Sequence, residues 1–173
     1  MRKINKLIIH CSATREGHDV DAKTIREWHL RRGWKDIGYH YIVRLDGTIE
    51  PGRMINISGA HTKGYNSESI GICYIGGVEA EKVNNKWVAK DTRTQAQKDS
   101  LLILIKLLKL MYKDATIHGH REFANKACPS FDASEEYKNL KLKNNDGIYN
   151  DKLARIINWI YGIFKSYNKP NSN

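Results

Sequence analysis

At 173 residues the chain is long enough to bury a core of its own, and its length points to a single domain. Lys and Arg outnumber Asp and Glu 29 to 19, which favours an anionic partner such as nucleic acid, a membrane surface or a cell-wall polymer; the charge is scattered in pairs such as Arg2-Lys3 and Arg31-Arg32 and forms no stripe, which argues against nucleic acid and fits a solvated face. Three cysteines, an odd number, argue against a disulfide framework, and no apolar run is long enough for stable insertion across a bilayer.

The N-terminus, MRKINKLIIHCSAT, is charged and lacks the apolar stretch of a secretory signal. The expectation is synthesis in the cytoplasm and access to the outside by another route. Lys6 to His10 reads as a short buried strand, since Leu7, Ile8 and Ile9 are consecutive apolar residues. His10 falls at the strand end, where open α/β sheets place ligands. A lone histidine there is more often a satisfied structural residue. Cys11 follows directly and faces the other side, so His10 and Cys11 are not expected to share a metal.

Asp21 to Arg32 reads as a helix capped by Asp19 or Asp21, with Ile25, Trp28 and His29 on its inner face and Gly33 as its stop. Between Gly38 and Glu50, alternating residues flank Asp46-Gly47, the signature of a β-hairpin whose first strand begins at Tyr39. Ser69 to Ile75 is a predicted central strand. The loop before it offers His61, Lys63, Tyr65 and Asn66, a substrate rim or a plain surface loop. Val78 to Asp91 is an exposed excursion. Thr94 caps the clearest helix, which runs to Tyr112 with a broad leucine-rich face for the core.

Ala115 to Ile117 reads as a strand delivering HGHREFANKACPSFD, His118 to Asp132. Zinc takes sulfur and nitrogen ligands, so Cys128 with either His118 or His120 is a candidate pair. Lys126 lies two positions before the cysteine, and a cation beside a metal makes sense where an oxyanion forms. The competing reading is a buried structural thiol with surface histidines. A last helix is predicted over Asp151 to Tyr167, in a C-terminal extension, 141–173, docked on the main domain, 1–140.

The motifs IIHCSAT, DIGYHYIV, DGTIEPGR, GAHTKGYNSESIGIC and HREFANKACPSFD occur in this order between Ile8 and Asp132. Together they resemble the zinc-dependent N-acetylmuramoyl-L-alanine amidases of the type 2 family, whose fold the peptidoglycan recognition proteins share. The resemblance implies an α/β domain: a mixed central β-sheet flanked by helices, with a zinc cleft at one edge. It implies Zn2+ held by His10, His120 and Cys128, which sets His118 aside. It implies catalytic roles for Tyr39 and Lys126. His61 and Asn66 would line a muropeptide groove, with Lys63 and Tyr65 as weaker candidates. The implied activity is hydrolysis of the amide between N-acetylmuramic acid and L-alanine in peptidoglycan. With no secretory signal in the N-terminal residues, a phage or prophage endolysin is the expected setting, and a monomer the expected state. The alternative is a non-catalytic peptidoglycan-binding module on the same fold. Such modules typically lack the cysteine, which is present here.

Overall fold

A computed structural model of the chain describes residues 2–140, and the helix expected over 151–167 lies outside the described residues. Strand β1 (Lys6–Cys11) is buried along nearly its whole length. It is followed by the short β2 (Thr14–Arg15) and by helix α1 (Ala22–Arg31). Strands β3 (Tyr41–Val43) and β4 (Ile49–Pro51) form the hairpin, and β5 (Ser69–Tyr74) is the central strand expected from the sequence. Next come β6 (Gly77–Val78), the long helix α2 (Gln95–Met111), β7 (Thr116–Gly119) and α3 (Ala133–Tyr137).

The main sheet has five strands in the order β4-β3-β5-β1-β7. Strands β3, β5, β1 and β7 run parallel, and β4 is antiparallel to β3. A second, two-stranded sheet pairs β2 with β6. Strands covered on both faces read as unbroken apolar runs, and Leu7, Ile8, Ile9, Ile70 and Ile72 are all fully buried. On one face Ile25 of α1 joins Ile42, Cys73 and Ile75, with Trp28 packed against them. Helix α2 buries Leu101, Leu104, Ile105 and Leu108 completely, and each such side chain contributes about 1.5–3 kcal/mol by leaving water.

The helix starts are decided by side-chain caps. Asp21, not Asp19, accepts the Thr24 N–H at 2.8 Å, while Asp19 pairs with Arg44 at 2.6 Å. Thr94 and Gln97 form a reciprocal capping box. The Gln97 amide also donates to the carbonyls of Val43 and Ile75, at 3.1 and 2.8 Å, which fixes α2 against the strand ends.

The hairpin ladder begins at Tyr41, two residues later than the alternation predicts. Before it, the His40 N–H goes to the Gly71 carbonyl and the Tyr39 carbonyl receives the Arg53 N–H. This irregular entry leaves the Tyr39 ring among His10, His29 and His61.

Candidate metal centre

The pairing of β1 with β7 ends at Ile9 opposite Gly119. One further step along each strand brings His10 and His120 side by side, at the carboxyl ends of two adjacent parallel strands. Their ring centroids are 4.6 Å apart. Cys128 returns to the same place through the loop that follows. One ligand atom from each of His10, His120 and Cys128 lies within 4.8 Å of the others. His10 Nδ1 is 3.8 Å from Cys128 Sγ, against about 3.6 Å for the nitrogen–sulfur separation around tetrahedral zinc. Two imidazoles and a thiol are a donor set that suits zinc.

Several contacts hold the cysteine loop. The Arg121 N–H donates to the Cys128 carbonyl at 2.7 Å, and the Tyr74 hydroxyl donates to the Pro129 carbonyl at 2.6 Å. The Cys128–Pro129 peptide is cis. Pro129 packs so closely on Gly119 that a Cβ there would stand 2.8 Å from Pro129 Cδ. Glu122 reaches back to the Gly119 N–H at 2.6 Å and pairs with His118 Nδ1 at 2.6 Å. His118 Nε2 is taken by Thr116. Both nitrogens of His118 are thus engaged outside the cluster, and His120 is the one of the two that stands within it.

Burial and the neighbouring cation disfavour charge on the two imidazoles of the cluster. Burial pushes the His10 imidazole well below its usual pKa, and the neighbouring His61, His120, Lys126 and His40 push the same way. Burial and Lys126 also lower His120. The two thiols near the site are coupled. Their mutual hydrogen bond lowers Cys11 to about 7, and the same contact together with burial raises Cys128. The Cys11 N–H points at Cys128 Sγ from 3.3 Å, and a donor in that position favours a thiolate on Cys128.

The family model for N-acetylmuramoyl-L-alanine amidases matches residues 1–131. The chain belongs to the N-acetylmuramoyl-L-alanine amidase family. It is 41% identical over 140 residues to the endolysin of Escherichia phage T7, which spans 81% of this chain and 89% of that protein. It is also 41% identical over 145 residues to the endolysin of Klebsiella phage KP32, covering 84% and 93% of the two chains. Among solved structures, the amidase LysC from Clostridium intestinale URNW superposes with a TM-score of 0.64 at 30% identity, covering 78% of this chain and 82% of that one. Drosophila PGRP-LB does so with a TM-score of 0.64 at 25% identity, covering 87% of each.

In this amidase-family chain the remaining site candidates fall into two groups. Tyr39 and Lys126 lie beside the trio. The Tyr39 ring is 5.1 Å from that of His10, and burial raises its phenol well above 10, with the nearby Cys73, Cys128 and Cys11 adding to the rise. Lys126 is exposed, and its charge acts on both His10 and His120. His61 and Asn66 face inward. His61 is 8% exposed, with Nδ1 3.0 Å from His10 Nε2. The Asn66 Oδ1 accepts the N–H groups of His61 and Thr62, at 2.8 and 2.9 Å. Tyr65 stacks on Phe123, with centroids 4.4 Å apart, and ties the loop before β5 to the one after β7.

The residues that sequence reasoning passed over are supports: Ser69, Thr62, Tyr74 and the backbone of Cys11. Cys11 and Cys128 are 117 positions apart, and no local pattern announces their contact. The two acidic residues within the motifs are committed elsewhere. Glu50 accepts the Ala22 N–H at 2.6 Å and pairs with Arg44, and Glu122 holds Gly119 and His118.

Proposed function

We propose that the chain is a zinc-dependent hydrolase that cleaves the amide between N-acetylmuramic acid and L-alanine in peptidoglycan, acting as a phage or prophage endolysin. The observation that carries this reading is the assembly of His10, His120 and Cys128 within 4.8 Å at the strand ends, with Tyr39 and Lys126 beside them. The phage relatives named endolysins, at about two-fifths identity over nearly their whole length, support the biological setting.

His10, His120 and Cys128 would hold the zinc. When bound, it supplies a Lewis acid that acidifies water and polarises the scissile carbonyl. The protein's own groups do the rest. Tyr39 stays protonated at any ordinary pH because its phenol is desolvated, so it acts as a hydrogen-bond donor toward the oxyanion that develops on the amide carbonyl. Lys126 supplies positive charge at the same place and disfavours protonation of the two histidine ligands. Among the described residues no carboxylate joins the ligand cluster, so an acidic general base plays no part in this reading. Asn66, at the loop before β5, is proposed to shape the muropeptide groove. The net charge of +10 suits a wall polymer bearing carboxylates.

A non-catalytic binding module would need no assembled metal cluster, so the trio favours the enzyme. The test is mass spectrometry of purified cell wall digested with the protein, with and without a chelator. The expected result is release of free stem peptides with L-alanine at the new amino terminus, abolished by the chelator and restored by zinc. Binding to wall without release of any peptide would overturn the enzyme reading.

A further inference from the structure

The ring of His61 is spent entirely on its neighbours, and the pattern of those contacts has a direction. The fixed end is the backbone carbonyl of Tyr65, which can only accept. The Ser69 hydroxyl lies 2.7 Å from it and donates its single proton there. Ser69 Oγ also lies 3.3 Å from His61 Nε2, and with its proton committed it must accept from that nitrogen. His61 therefore carries its hydrogen on Nε2. In a neutral imidazole this leaves Nδ1 as a lone pair. That lone pair is 3.0 Å from His10 Nε2, so His10 donates to it. The free lone pair of His10 is then on Nδ1, the nitrogen that faces Cys128 Sγ. The Thr62 hydroxyl, 3.1 Å from His61 Nδ1 and 3.4 Å from His10 Nε2, sits beside this link and is compatible with its direction.

We infer that His61 is a positioning residue: through a relay running from His10 to His61 to Ser69 to the Tyr65 carbonyl, it holds His10 in the one tautomer whose Nδ1 can bind the metal. This rests on the zinc reading proposed above. It replaces the groove-lining role that the family resemblance implied for His61, because a ring with both nitrogens engaged and 8% exposure has nothing left to offer a substrate.

The packing around the ring provides independent support. A Cβ at Gly71 would fall 2.5 Å from His61 Cγ, and one at Gly59 would fall 2.5 Å from His61 Cδ2. The imidazole thus lies directly against backbone at two places where no side chain fits. Asn66 pins the backbone of the loop by accepting the His61 and Thr62 N–H groups, which fixes the point from which the ring projects. Metal-bound histidines generally donate their second N–H to such a partner, which fixes tautomer and ring orientation. An acceptor imidazole fills that place here.

The test uses the full chain labelled with 15N-histidine. Long-range proton–nitrogen correlation spectra, taken with and without zinc, report which nitrogen of each ring carries hydrogen and which binds metal. The expected spectra show His61 protonated at Nε2 in both states, and His10 protonated at Nε2 with zinc on Nδ1. Zinc affinity, measured by competition with a chromophoric chelator, is expected to fall about 10–100-fold in His61→Phe and Ser69→Ala. Ser69→Thr, which keeps the hydroxyl, should restore most of it. Zinc on His10 Nε2, or hydrogen on His61 Nδ1, would overturn the relay while leaving the metal centre intact, and this result needs no variant to fold. Unchanged zinc affinity in both folded variants would overturn it too. Failure of the unaltered protein to bind zinc would instead bring down the proposed function together with this inference.

Discussion

Ile9 and Gly119 are the last paired residues of two adjacent parallel strands, and each is followed in the chain by a histidine. The metal centre grows out of that register. Parallel strands deliver their carboxyl ends to one edge of the sheet, and loops leaving that edge are free to carry chemistry. A slip of one residue between β1 and β7 would send one of the two imidazoles to the opposite face. Strand β1 is also paired with β5 over its whole length, from Lys6 opposite Ser69 to Cys11 opposite Tyr74, which holds its own register.

Cys128 completes the ligand set from a loop, and its removal should leave the sheet untouched. Cys128→Ala is expected to fold, to purify without zinc and to release no wall peptide. Elemental analysis of the purified protein and a wall-turbidity assay check this. A variant that keeps stoichiometric zinc would show that the thiol is no ligand.

Tyr39→Phe removes one hydrogen-bond donor and keeps the ring that packs beside His10. Zinc content should be unchanged, and kcat should fall by about 10²–10³, the usual effect of losing one oxyanion donor, about 2.7–4 kcal/mol. Because the phenol is held far above its usual pKa by burial, no loss of activity from tyrosine ionisation is expected up to pH 10. An unchanged rate in the phenylalanine variant would reduce Tyr39 to a packing residue.

Lys126→Ala separates a catalytic charge from a structural one. The side chain is exposed and makes no core contact, so folding and zinc retention should persist while turnover is lost. Its removal also takes away a positive charge that lowers the pKa of His10 and His120, so zinc should be released at somewhat higher pH in this variant. Metal loss at neutral pH would assign Lys126 a structural role.

The strands and helices were legible in the sequence because their signals are local: three apolar residues in a row at Leu7, a threonine cap at Thr94, an Asp-Gly turn at Asp46. The ladder at Tyr41 was placed too early because alternation does not show that Gly71 and Arg53 take up the backbone of His40 and Tyr39. The residue chemistry alone offered His118 and His120 equally; the family resemblance favoured His120, and the Glu122 and Thr116 contacts of His118 give the physical reason. His61 is a motif residue whose neighbours the motif does not give. Its place near the site follows from the pattern, but its orientation depends on Ser69, Gly59 and Gly71, and those contacts exist only after folding.

His29 and His40 give the fold a pH dependence of their own. Both rings are buried, and each accepts a backbone N–H through Nδ1, from Gly38 at 3.0 Å and from Gly71 at 2.9 Å. Burial, aided by nearby arginines, lowers each to about 4 from an ordinary value of 6.5. The folded pKa is the lower one, so between these values the unfolded chain binds more protons. Stability is therefore complete above about pH 6.5 and falls as the pH drops toward 4, by on the order of 3 kcal/mol per histidine. Urea unfolding of the full chain at a series of pH values should show this decline. His40→Gln, which can still accept the Gly71 N–H, should reduce the slope by about one proton's worth. A free energy of unfolding that stays flat from pH 7 to pH 4.5 would mean that these imidazoles are protonated in the folded protein, contrary to their hydrogen bonds.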